Sequence, residues 1–159
     1  MPLVFSYGSN MDAPAMALRC PGAKPLGLAR LARHRRAVMR EGYLTATRDP
    51  SREIVGMLWD VPQADMGALD RYEEVHKGLY RKALQMVIGE TGARRAIVYF
   101  GANDGPGTLK PDYFAAVLGA AKAAGLPEAA LREIAALGTV GGRRHGPLPP
   151  LRGKVSGEA

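Results

Sequence analysis

The chain is poor in the residues that make covalent or metallic staples. It has one cysteine, Cys20, and three histidines in 159 residues. One cysteine excludes an intrachain disulfide and fits a reducing, cytoplasmic setting. With so few, widely spaced Cys and His residues, no spacing reads as a metal site. No run of eighteen apolar residues is present, so no membrane-spanning helix is expected. The N-terminus lacks a basic start, an apolar stretch and a small-residue cleavage site, which argues against a secretory signal. Internal repeats are absent as well.

What is there describes one ordinary globular domain, 47% apolar and 23% charged, with room for a proper core. We expect a domain over residues 1–138 and a basic, Gly/Pro-rich tail over 139–159, wrapped on the surface or partly disordered. The net charge of +7 is uneven. Arg30, Arg33, Arg35, Arg36 and Arg40 cluster in one segment, and the tail adds most of the rest. Such a patch reads as a solvated strand face, as steering for a small acidic substrate, or as a nucleic-acid contact. The absence of interleaved aromatics disfavours the last, so no nucleic acid is expected.

Leu3-Val4-Phe5 is a β-prone run broken by Ser6-Tyr7-Gly8-Ser9-Asn10-Met11. A glycine after a strand allows a sharp turn and close approach to a ligand. The amides of Ser9, Asn10 and Met11 can then form a nest for negative charge, with Tyr7, Ser9 and Asn10 adding side-chain hydrogen bonds. The same residues also suit an ordinary strand-ending turn.

Further along, Asp12 to Arg19 reads as a short helix with Met16 and Leu18 partly buried. Leu26 to Met39 reads as one or two strands with the arginines outward. Tyr43 to Thr47 and Ile54 to Val61 read as strands separated by an Asp49-Pro50-Ser51 loop, and Gly56 marks a bulge or a close contact. Pro62 to Val75 reads as a helix, and Leu79 to Ile88 and Arg95 to Phe100 as a hairpin turning through Gly89 to Ala93. Two helices follow, from Pro111 to Gly125 and from Pro127. Strands in a run with helices inserted give an α+β class with a mixed or barrel-like sheet.

On a wheel of about 100° per residue, Met66 and Leu69 set the apolar face of the 62–75 helix and Glu73 projects between them. A carboxylate in a leucine's place costs several kcal/mol unless paired or protonated. Burial disfavours the charged form of any carboxyl, which suits general acid–base work near neutral pH. The alternatives are a structural salt bridge or a helix that stops before Glu73. Asp70, at the stripe's edge, is a weaker candidate, and Glu74 points toward solvent.

Taken together, the Tyr7-Gly8-Ser9-Asn10-Met11 loop, the Leu69-Asp70-Arg71-Tyr72-Glu73-Glu74-Val75 segment, Gly78-Leu79-Tyr80, and Tyr113 with Gly125-Leu126-Pro127 resemble the γ-glutamylcyclotransferase family, also called AIG2-like. The likeness covers roughly residues 3 to 127. It implies a small mixed β-barrel flanked by helices, with the loop at its mouth. It implies that Tyr7, Gly8, Ser9, Asn10 and Met11 hold a γ-glutamyl group, that Glu73 is the acid/base, and that Tyr113 lines the pocket. Tyr80 and Tyr99 fall where family members also have tyrosines. The implied reaction closes a γ-glutamyl amide to 5-oxoproline, needing no protein nucleophile, metal or organic cofactor, in a monomer or homodimer. The family often has Gly after the catalytic Glu, where this chain has Glu74. Two other readings stay open: a non-catalytic metabolite-binding protein of the same fold, and a nucleic-acid-associated protein using the Arg30–Arg40 patch.

Overall fold

The computed structural model describes residues 2–138. The tail expected over 139–159 lies outside them. Five strands close into a barrel: β1 (Leu3–Ser6), β2 (Lys24–Val38), β3 (Leu44–Asp60), β4 (Tyr80–Gly89) and β5 (Gly92–Gly101). Their order around the barrel is β1-β3-β2-β4-β5. The seam between β1 and β5 is parallel, with Val4 opposite Ile97, and the other pairings are antiparallel. Four helices flank it: α1 (Ala13–Arg19), α2 (Gln63–Tyr72), α3 (Pro111–Ala124) and α4 (Glu128–Leu137). The α+β class and the mixed barrel are therefore as expected. Among the described residues, no helix is long and apolar enough to cross a membrane.

Several local expectations are corrected. Leu18 is 85% exposed, because seven-residue α1 buries only the side carrying Met16 and, beyond its end, Cys20. Leu18 sits two positions from Met16, on the opposite face. Next, Asp49-Pro50-Ser51 does not separate two strands. β3 runs through it as one strand paired along β2. The turn chemistry survives as a detour: the register steps from His34↔Arg48 to Ala32↔Glu53, so residues 49–52 bulge opposite Arg33. The Asp49 carboxylate accepts hydrogen bonds from the amide and hydroxyl of Ser51 within it.

The third correction follows from that bulge. Arg33 has a φ of 61°, and this out-of-phase residue reverses the in–out alternation of β2. Leu31 faces in, Ala32 and Arg33 face out, and His34 and Arg36 face in. Arg36 is thus 1% exposed rather than part of an outward basic face. Arg30 and Arg35 are paired with Glu53 and Asp49. The cluster at 30–40 is not a continuous cationic surface.

The β4–β5 turn is tighter than expected, with Gly89 opposite Gly92. A Cβ on Gly56 would collide with the carbonyl oxygen of Ser6, so the close contact suggested for that glycine is present. Gly125, with a φ of 82°, ends α3 as expected. α2 stops at Tyr72, short of the expected end at Val75: Glu73 is its C-cap in helical conformation, and the left-handed backbone of Glu74 ends the helix there.

Candidate active site

The chain leaves β1 at Ser6, turns at Tyr7-Gly8, and makes a single 3-10 turn over Ser9–Met11 before entering α1. The side chain of Asp12 caps α1 by accepting from the Ala15 amide at 3.0 Å. This short loop is braced by two outside donors and closed by one bond of its own. Arg36 Nε donates to the Tyr7 carbonyl at 2.9 Å, Trp59 Nε1 to the Asn10 carbonyl at 3.0 Å, and the Met11 amide to the Gly8 carbonyl at 3.0 Å. Arg36 also donates to the Val55 carbonyl and pairs with Glu133 of α4 at 2.8 Å. Burial lowers the pKa of Arg36, and Glu133 opposes that shift.

The loop meets the end of α2 residue by residue. Ser9 Oγ lies 2.9 Å from the Tyr72 hydroxyl, and Asn10 Nδ2 donates to Glu73 Oε2 at 2.8 Å. Arg19 donates to Asn10 Oδ1 and stacks its guanidinium 3.6 Å over the Tyr72 ring. With its oxygen held by a cation, Asn10 must present its amino group to the carboxylate. Glu73 is 7% exposed although α2 stops one residue before it, so its burial comes from its place at the helix end against the loop rather than from a position within the helix.

Ser6, Tyr7, Gly8, Ser9, Asn10, Leu44, Glu73, Tyr80 and Tyr113 line one narrow cleft with a cavity volume of about 20 Å³. Tyr80 donates to the Leu44 carbonyl at 2.6 Å, and Tyr113 Oη accepts from the Leu44 amide at 3.3 Å. Burial foremost holds the hydroxyls of Tyr7, Tyr80 and Tyr113 well above the usual tyrosine pKa, with the charge of Glu73 adding to it. They are neutral hydrogen-bonding groups at any physiological pH. A wider groove of about 430 Å³, open to solvent, adjoins the cleft through shared walls at Ser9 and Tyr113. Arg19, Tyr72, Asp12 and Asp112 also line it, with Ala15, Ala115, Ala116, Gly119 and Ala120.

Met11 is not on the cleft wall: its side chain is 2% exposed, under the loop, and its amide is taken by Gly8. Of the amides nominated from the sequence, Ser9 and Asn10 precede the ladder of the 3-10 turn. Tyr99 also stands outside; its carbonyl accepts from the Tyr7 hydroxyl and its own hydroxyl donates to Asp70 at 2.6 Å. Asp70 pairs with Lys82 at 2.9 Å and does not reach the cleft.

The family model for gamma-glutamyl cyclotransferase, AIG2-like, matches residues 4–116, a span containing both halves of this cleft. The chain belongs to this family. A bovine gamma-glutamylcyclotransferase is 28% identical over 88 residues, covering 49% of this chain and 47% of the relative. The chain thus spans about half the length of that curated relative. A solved gamma-glutamyl cyclotransferase superposes with a TM-score of 0.82 at 22% identity, covering 97% of this chain and 95% of that one. A human protein whose structure is titled uncharacterized gives 0.81 at 22%, covering 96% and 94%. These two likenesses establish the fold.

For an AIG2-like chain, the departure at Glu74 has a backbone meaning. Glu74 has a φ of 55°, in the left-handed region that glycine enters without penalty. The glycine usual at this position suits that turn, and here a glutamate holds the same conformation. Reading the sequence missed Ser6, Arg19, Trp59 and Arg36 as parts of the site. Arg36 and Trp59 reach it through pairings distant in the chain, and Arg19 reaches back from the end of α1. Only the break from apolar to polar at Ser6 was a local signal.

Proposed function

We propose that this AIG2-like protein is a cyclotransferase that releases 5-oxoproline from a γ-glutamyl amide, with Glu73 as the acid/base. The observation that carries the reading is the 2.8 Å bond between Asn10 and Glu73, which joins the two motifs in one cleft. In the reaction, the substrate's α-amine attacks its own γ-carbonyl carbon. The ring C–N bond forms, the amide C–N bond breaks, and the amine departs. Between α-ammonium and lactam N–H the attacking nitrogen sheds two protons, and the leaving nitrogen gains two to depart as an ammonium, so a single carboxylate can take and return each in turn. Holding the substrate folded for ring closure supplies much of the acceleration. The amides of Ser9 and Asn10 are suited to the γ-oxyanion or the α-carboxylate. We assign the leaving amine to the adjoining groove between α1 and α3.

The test is a panel of γ-glutamyl amides (amino acids, glutathione, a lysine isopeptide) assayed for 5-oxoproline. Glu73→Gln should cut turnover by about two to four orders of magnitude, the usual range for a general acid–base. Substrate binding without product in the native protein would favour the non-catalytic reading. Near-normal turnover by Glu73→Gln would remove Glu73 from the chemistry.

A further inference from the structure

β1 ends in a hydroxyl that has no use in the fold. Ser6 is 5% exposed, and its Oγ is buried without a hydrogen-bond partner. A buried polar group left unmatched destabilises the folded state, and an alanine would fit the strand end without that cost. Ser6 also lines the cleft with Glu73. The other polar side chains there are engaged: Tyr7 with the Tyr99 carbonyl, Tyr80 and Tyr113 with the Leu44 peptide, Ser9 with Tyr72, and Asn10 with Arg19 and Glu73.

Resting on the cyclotransferase reading above, we propose that Ser6 is a substrate contact whose hydroxyl donates to the α-carboxylate of the γ-glutamyl group. The charges in the cleft decide between the two ends of that α-carbon. The α-ammonium must reach Glu73 to lose its proton. The α-carboxylate is repelled by Glu73 and must be held elsewhere. No Lys, Arg or His lines the cleft, and Arg36 is spent behind it on the Tyr7 carbonyl, the Val55 carbonyl and Glu133. An anion there is therefore held by neutral donors. A serine hydroxyl aimed at a carboxylate gives a short, charge-assisted bond in a site shielded from water.

The experiment pairs Ser6→Ala with two substrates that differ only in the proposed contact. γ-Glutamyl-4-nitroanilide carries the α-carboxylate. 4-Aminobutanoyl-4-nitroanilide lacks it and closes to 2-pyrrolidinone by the same ring closure. Ser6→Ala should lower kcat/KM on the first by roughly 10- to 100-fold, the value of one hydrogen bond to a charged group, mostly through KM. On the second it should change little, and Tm should hold or rise. Equal losses on both substrates, no loss on the first, or a lowered Tm would each overturn the proposal.

Calorimetric titration of both compounds runs beside the kinetics. If the native protein binds the γ-glutamyl compound but turns over no member of the panel, the cyclotransferase reading falls and Ser6 is judged on Kd alone. If Kd for the γ-glutamyl compound is unchanged in Ser6→Ala, the Ser6 contact falls while the reading stands. If the native protein binds neither compound, both fall.

Discussion

Gly8→Ala is the substitution whose consequence follows most directly from the geometry. A Cβ on Gly8 would stand 2.9 Å from Tyr113 Oη, where ordinary contact begins near 3.4 Å. The hydroxyl must therefore withdraw by about half an ångström, the difference between those two distances. It already accepts from the buried Leu44 amide at 3.3 Å, so the shift breaks that bond. A buried donor stripped of its acceptor costs about 1–3 kcal/mol. Displacing a cleft wall on this scale should lower kcat/KM by about 10- to 100-fold. Urea unfolding and kinetics measure the two losses. The loop is assigned to the γ-glutamyl half, so the kinetic loss should be the same whichever amine leaves. A double-mutant cycle isolates the cause. In a Tyr113→Phe background the offending oxygen is gone, and Gly8→Ala should add little to either loss. Fully additive penalties would show that the Gly8–Tyr113 approach is not what the glycine serves. Unchanged kinetics in the single variant would take the loop out of the site.

Four further outcomes are expected. Glu74→Gly should raise stability by up to about 1 kcal/mol in urea unfolding, by relieving a left-handed glutamate, with turnover unchanged. Glu133→Ala should cost roughly 3 kcal/mol, because it strands a fully buried Arg36 cation, and differential scanning calorimetry should show the loss. Gly119→Leu meets no atom within 4 Å at its Cβ, so the fold should hold while turnover falls for bulky leaving amines more than for small ones; equal effects would place the leaving amine elsewhere. Burial first, then Asp65, against a smaller opposing effect of Arg19, pushes the Cys20 thiol up to about 11. The folded chain then keeps a proton that the unfolded chain loses near its ordinary value. Stability should fall as pH rises from about 9 through 11, and thiol labelling of the native protein at pH 8.5 should lag far behind that of the denatured chain. Fast native labelling would contradict the burial.

Local pattern alone determined a good part of this protein. The apolar run into Tyr7-Gly8-Ser9-Asn10, the wheel position of Glu73 and the hairpin of β4 and β5 are set by neighbours three to seven residues apart, and propensity and periodicity act at that range. The order of the motifs carried the family likeness and, with it, the barrel. Tertiary structure decided what depends on pairing between distant residues. Whether Arg36 faced water or the core turned on one out-of-phase residue, Arg33, and on the bulge of residues 49–52 opposite it, which reversed the alternation of β2. Whether Glu73 or Asp70 faced the cleft turned on their partners, Asn10 for one and Lys82 with Tyr99 for the other. Trp59 became part of the site because barrel closure brought β3 against a loop it does not adjoin in the chain, and Arg19 because the last residue of α1 reaches back to the loop that precedes that helix. Ser6 reads in the sequence as the end of a strand. Its unmatched hydroxyl exists as a feature only once Glu73, Tyr80 and Tyr113 have been folded around it, because burial without a partner is a property of the packed structure.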